Sequence, residues 1–274
     1  MQSRFPELQI QSKGKTRNLI IGDVEKASVV LSAHYDTCAR SPFPNFIAPM
    51  SPVISILYSL MIMLPIILVV QVIAQLLSLA GADSLICYLV SMSTLCALMA
   101  LLFVGPANTS NVNDNTSGVI TLCELMVNLS ASEKSKVAFV FFDREETGMQ
   151  GSSFFRRHYR KVMKSKLLIN FDCVSDGDHI MVAASKKARK QYAKALDSSF
   201  APTDTKSILQ VNEEKILFPS DHMQFPCSVA VAALNRKPFI GYYINKIHTP
   251  KDTVLDKANI KLLCDAILKL LRKL

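Results

Sequence analysis

Residues 137–148 read VAFVFFDREETG, a run of six apolar residues leading straight into an acidic turn. Such a run is too short for a buried helix and predicts a strand covered on both faces, Val137–Phe142. The turn places Glu145 beside Glu146 at the end of that strand. Neighbouring side chains point apart, so one glutamate can reach a metal ion while the other reaches the water bound to it. That is the ligand-and-base pair that metal-assisted hydrolysis requires. A solvated acidic turn accounts for the same residues.

Further strands of the same kind are predicted at 18–21, 28–33, 166–171, 179–182, 227–233 and 239–244, all short and rich in Val, Ile, Leu or Phe. Between them lie amphipathic stretches that predict helices at 118–129, 152–164, 186–200 and 256–273. In the last, Ile260, Leu263, Ile267, Leu270 and Leu271 form one apolar face. Strand-helix alternation of this kind predicts an α/β fold: a mixed, mostly parallel sheet sandwiched by helices. Sites in such sheets gather where strands end in loops at one edge.

Polar clusters stand at those ends. His34-Tyr35-Asp36 follows SVVLSA, and a histidine and aspartate two apart suit a metal ligand and the carboxylate that orients its ring. Asn113-Asp114-Asn115-Thr116-Ser117-Gly118 precedes a helix, and its residues equally suit an N-cap. Asp172 emerges directly from KLLINF, where a carboxylate is costly unless paired or metal-bound. His248-Thr249-Pro250-Lys251-Asp252-Thr253 stands before the terminal helix, which Asp252 is placed to cap. Together the ends supply two histidines, three carboxylates and a spare glutamate. Five ligands are too many for one open tetrahedral zinc site and suit two ions sharing a carboxylate.

Between Arg40 and Asp114 the only charged residue is Asp83. Two apolar stretches, about 52–80 and 84–104, each reach the roughly 20 residues needed to cross the hydrocarbon core. Gly81-Ala82-Asp83 links them as a tight hairpin, and Pro65 kinks the first. The expected organisation is therefore one discontinuous lobe, 1–50 and 105–274, interrupted by a transmembrane hairpin at 51–104. Buried core helices of a soluble protein are the competing reading. Two crossings return the chain to its starting side. The hairpin link carries no Lys or Arg, so the positive-inside rule favours a cytoplasmic lobe on an integral membrane protein.

The net charge is +9, with basic residues scattered or on helix faces such as Lys186, Lys187, Arg189 and Lys190. They form no basic-aromatic module, which argues against nucleic acid and for a surface near anionic lipid. Seven cysteines without a CxxC pair point weakly to a reducing compartment. The first residues lack the apolar core of a secretory signal.

In order, HYD, NDNTSG, REETGMQGS, FDCV and HTPKDT resemble the M28 family of co-catalytic zinc aminopeptidases, which also contains glutamate carboxypeptidases. The resemblance runs through nearly all of the soluble lobe. It implies a zinc-peptidase (phosphorylase/hydrolase-like) sheet, peptide substrates cleaved at the N-terminus, and two Zn2+ or another divalent metal. By position it implies that His34 and Asp172 bind one zinc, that Glu146 and His248 bind the other, and that Asp114 bridges them. Glu145 is then the general base and Asp36 the residue behind His34. Gly151-Ser152 matches the GS that shapes the turn into the next helix. Ser220-Asp221-His222 resembles a segment near the substrate pocket, with His222 structural or substrate-facing. Tyr242 and Tyr243 are candidates to donate to the tetrahedral intermediate. The hairpin departs from the family pattern, and since His34 and Asp114 flank it, its base is expected to wall the substrate cleft. A single-zinc glutaminyl cyclase and a non-catalytic membrane scaffold are the rival expectations.

Overall fold

The structure, a computed structural model, describes residues 8–274. Nine strands form one mixed sheet: β1 (Gln9–Lys13), β2 (Thr16–Ile21), β3 (Val29–His34), β4 (Val137–Phe142), β5 (Leu167–Phe171), β6 (His179–Ala184), β7 (Ser207–Asn212), β8 (Ser228–Lys237) and β9 (Gly241–Tyr243). Their order is β1-β2-β4-β3-β5-β8-β6-β7, with β9 on β8. The centre, β4-β3-β5-β8, is parallel. The predicted sheet is therefore present, with antiparallel pairings at β1-β2, β2-β4, β6-β8 and β8-β9.

Period-two alternation divides the core between the two faces. Val29, Leu31, Ala33, Val137, Phe139 and Phe141 point to one side. There they meet Leu122 and Leu125 of α3 (Ser117–Asn128), Leu196 of α7 (Lys186–Ser199) and Leu263 and Ile267 of α8 (Lys257–Leu271). Val30, Ala138, Val140 and Phe142 point to the other side, against Phe155 of α5 (Gln150–His158) and Met163 of α6 (Arg160–Met163). One short helix, α4 (Ala131–Lys134), is closed by a capping box between Ser130 and Glu133.

Several expected elements are adjusted. The helix expected over 152–164 breaks at Tyr159 into α5 and α6. The strand expected over 239–244 shrinks to β9, because Phe239 takes a left-handed φ of 66° in the turn before it. β1 and β7 were not predicted. β1 is mostly exposed and β7 only half-buried, so neither carries the apolar run that marks a central strand.

α1 (Pro52–Leu79) and α2 (Ser84–Phe103) form an antiparallel pair beside the sheet, joined through Asp83, whose side chain caps α2. Both are long and apolar enough to cross a membrane, by length and composition. Their most apolar windows are 11% and 0% buried, so they are not core helices of this fold. At its start α1 is held to the lobe. The Ala48 N–H donates to Ser55 Oγ at 2.9 Å, and Tyr58 donates its hydroxyl to the Pro44 carbonyl at 2.7 Å.

Candidate metal centre

β3, β4 and β5 run parallel, so His34, the Asp143–Glu146 turn and Asp172 all reach the same edge of the sheet. The turn before α3 carries Asp114 to that edge, and the loop before α8 carries His248. The carboxylate of Asp114 lies between the two imidazoles. Its Oδ1 is 3.1 Å from His34 Nε2 and its Oδ2 is 3.1 Å from His248 Nε2. His34 Nε2 is also 3.6 Å from Asp172 Oδ1, and His248 Nε2 is 3.2 Å from Glu146 Oε2. The fold thus brings all five expected ligands together. Glu145, Glu146, Asp114, Asp172 and His248 share the wall of a cavity of about 70 Å³.

The electrostatics are those of a site built around positive charge. Burial alone would raise the Asp114 carboxyl, yet hydrogen bonds from His248 and His34 hold it well below the usual range. Burial works against charging His34 and His248, and the surrounding carboxylates still drive both imidazoles well above their ordinary value. Glu145 and Glu146, unlike Asp114, are raised, chiefly by burial and then by neighbouring carboxylates. Arg144, Met149, Cys173 and His248 all adopt left-handed φ between 54° and 64°, a concentration of backbone strain around one site.

Asp36 stands behind His34 and holds the acidic turn as well. Its carboxylate accepts the N–H groups of Glu145 and Glu146, while His34 Nδ1 is nearer to the Asp36 backbone carbonyl, at 3.3 Å, than to its carboxylate, at 3.6 Å. Asp252 does not cap α8, because Asp256 does so by accepting from Ala258. Asp252 instead accepts the backbone N–H groups of Asn113 and Asp114, at 2.7 and 3.0 Å, and so fixes the turn that presents Asp114. Gly151 opens α5 where its backbone passes Asn18 and Asp143, and a Cβ there would lie 2.3 Å from the Asp143 carbonyl oxygen. His222 is fully buried and stacks on Phe218, and burial lowers its imidazole to about 4. The rings of Tyr242 and Tyr243 are engaged elsewhere, against His179 and Phe46.

Sequence reasoning missed a buried relay. Ser32 Oγ donates to Asn170 Oδ1 at 2.8 Å, Asn170 Nδ2 donates to Ser220 Oγ at 2.8 Å, and Ser220 Oγ donates to Asp172 Oδ2. The available signal was a polar residue inside each apolar run, Ser32 in VVLSA and Asn170 in LLINF. Cys38 was also missed. Its sulfur, a Glu146 oxygen and a His248 nitrogen lie within 4.8 Å of one another.

A cleft of about 570 Å³ opens beside Glu146 and His248 and runs to Tyr58, Ile62 and Met63 of α1. A shallower depression of about 760 Å³ lies at the start of α7, near Glu213 and Glu214, but none of the convergent ligands lines it. The smaller cleft is therefore the one that adjoins the expected ligands.

The profile of peptidase family M28 matches residues 99–271, more than half of the 274-residue chain. In fold the chain is similar to a Zn-dependent exopeptidase from Parabacteroides distasonis, at 14% identity and a TM-score of 0.57, covering 98% of this chain and 85% of that one. It is similar as well to the LapA aminopeptidase of Legionella pneumophila, at 12% identity and 0.55, covering 97% and 57%. The zinc aminopeptidase BSAP from Bacillus subtilis stands at 16% and 0.53, covering 94% and 49%. At these identities the likeness is one of fold, and the chain spans little more than half the length of the Legionella protein. No curated protein matches the chain. The profile begins inside α2 and leaves out His34, whereas the fold likeness takes in nearly the whole chain. On this evidence the chain belongs to peptidase family M28.

Proposed function

We propose that this chain is a membrane-anchored aminopeptidase that binds two zinc ions and releases N-terminal residues from peptides. The observation that carries this reading is Asp114, whose two oxygens each face a different histidine at 3.1 Å. The donor set fits the metal: Glu146 Oε1 is buried without a hydrogen-bond partner, His34 Nε2 faces the carboxylates of Asp114 and Asp172, and the adjoining cavity is large enough for ions and water. His34, Asp114 and Asp172 would hold one ion and Glu146, Asp114 and His248 the other, supplying a Lewis acid and a water whose pKa falls to about 7. Glu145 would then accept a proton from water on its carboxylate and deliver it to the leaving amine. Its burial raises its proton affinity, which suits a group that must hold a proton between two steps. Asp36 keeps Glu145 and Glu146 turned apart by accepting both of their backbone N–H groups.

In this reading α1 and α2 lie in the bilayer, and residues 1–50 and 105–274 form one discontinuous catalytic domain on the cytoplasmic side. Two features support it. The apolar surfaces of both helices are exposed, and β3, before the hairpin, lies between β4 and β5, which follow it.

The test uses full-length protein in detergent. Bound zinc is counted and amino-acid release from a mixed peptide library is measured beside Glu145→Gln. Two zincs, with release that disappears in the variant, support the reading. One zinc without release would point to a cyclase, and neither metal nor turnover to a binding protein. Alkaline carbonate extraction tests the anchor: the chain should stay with membranes, and a version with 51–104 replaced by a short linker should not.

A further inference from the structure

α1 has 28 residues and α2 has 20. At 1.5 Å per residue, α2 spans about 30 Å and matches the hydrocarbon core, while α1 is longer by roughly 12 Å. The hairpin link ties the two helices at one end, so the excess of α1 falls at its other end, next to the lobe. That end is where Ser55 and Tyr58 bond to the 44–48 segment and where the Phe46 and Tyr58 rings meet at 5.1 Å. Ile62 and Met63 follow one turn later, where lipid would begin with α2 spanning the hydrocarbon core. They line the same cleft as Phe43, Glu146 and His248.

We propose that this cleft receives the N-terminal residue of peptides lying at the membrane surface, and that it selects a large apolar side chain by packing it against Ile62, Met63 and Phe43. This rests on the aminopeptidase reading and adds its substrate class. The cleft is lined both by Glu146 and His248 and by Tyr58, Ile62 and Met63 of α1. A peptide whose apolar end partitions into the interface arrives with that end already beside α1.

The full chain, reconstituted in phosphatidylcholine vesicles, is assayed on Leu-Gly-Gly and Ala-Gly-Gly, each free or carrying a C-terminal acyl anchor. The Leu peptide should be cleaved faster than the Ala peptide, and the anchored form faster than the free one. Ile62→Trp fills the cleft and should lower the Leu-to-Ala ratio of kcat/KM about tenfold or more, the scale on which pockets sense a few methylenes. Ile62→Ala enlarges it and should shift preference toward Phe-Gly-Gly, which guards against a tryptophan variant that fails to fold. Wild-type turnover with both ratios unmoved in both variants overturns the proposal alone. Absence of turnover on every peptide overturns it together with the aminopeptidase reading.

A separate observation concerns the donor atoms. Cys38 offers a sulfur within 4.8 Å of the donor atoms of Glu146 and His248, and the Glu146 side chain is 8% exposed with Oε1 unpartnered. We infer that Cys38 is a further protein ligand on the Glu146–His248 side. Zinc and cobalt both accept thiolate beside imidazole and carboxylate, and a coordinating thiol gives up its proton. The full chain loaded with Co2+ should show sulfur-to-cobalt charge-transfer absorption in the near ultraviolet. That band should vanish in Cys38→Ser and persist in Cys173→Ala, while the d–d bands of the bound ion remain in both. Superimposable spectra for wild type and Cys38→Ser overturn the inference.

Discussion

The Asp36 carboxylate accepts the backbone N–H of Glu145 at 3.0 Å across 109 residues of sequence, and its other oxygen accepts the N–H of Glu146 at 3.2 Å. One side chain from the β3 loop therefore holds the whole acidic turn that follows β4. An amide in its place would turn an NH2 group against one of those N–H groups. Asp36→Asn should lower zinc affinity and kcat/KM together by about 10- to 100-fold, the usual cost of losing a residue that orients metal ligands. Chelator competition and initial rates on the same preparation check this.

Glu145→Gln keeps the volume and removes the basic oxygen. Turnover should fall by about 10²-fold or more, the scale of a single acid-base group, with zinc content and melting temperature close to wild type. A near-normal kcat would remove Glu145 from the base role.

Ser220 is the link between Asn170 and Asp172. Ser220→Ala leaves the buried Asn170 amide without its acceptor, which costs about 1–3 kcal/mol of stability. Urea titration of metal-free protein in detergent measures that loss, and zinc affinity should fall with it because Asp172 loses a donor.

Gly151 has no room for a methyl group, since a Cβ would approach the Asp143 carbonyl oxygen at 2.3 Å and Asn18 Oδ1 at 2.4 Å. Both atoms belong to the packed junction of β2, β4 and α5, where Asn18 Nδ2 also donates to the Gly151 carbonyl. Gly151→Ala should destabilise the fold by about 1–3 kcal/mol through overpacking, read as a shifted denaturation midpoint.

Burial raises the Glu213 carboxyl to about 7. Below pH 4.5 it is protonated whether folded or not and contributes no pH dependence. Between 4.5 and 7 the unfolded chain ionises it while the folded chain keeps the proton, so stability falls as pH rises and the loss is complete above 7. The metal-free chain should therefore lose less stability between pH 5 and pH 8 as Glu213→Gln than as wild type. Parallel melting curves across that range would show Glu213 to be unperturbed.

Much of this molecule was legible in local pattern. Val137–Phe142, Val29–His34 and Leu167–Phe171 announce themselves because a strand buried on both faces is built mostly of apolar residues. The hairpin does so because stretches of 28 and 20 residues with no charge are long and apolar enough for two membrane-length helices. The candidate ligands His34 and Asp172 were legible because a His or Asp at the end of a buried strand needs a reason for that cost. Tertiary structure alone decided the rest. Asp252 was free to cap a helix by sequence, yet it binds the turn at Asn113 and Asp114, 138 residues away. Ser220 reaches Asp172, Cys38 reaches Glu146 and His248, and Ile62 of α1 reaches the cleft beside the same ligands. Periodicity and apolar run length are properties of neighbours along the chain. Which carboxylate oxygen faces which imidazole depends on how distant strands register across the sheet, and only the folded chain contains that information.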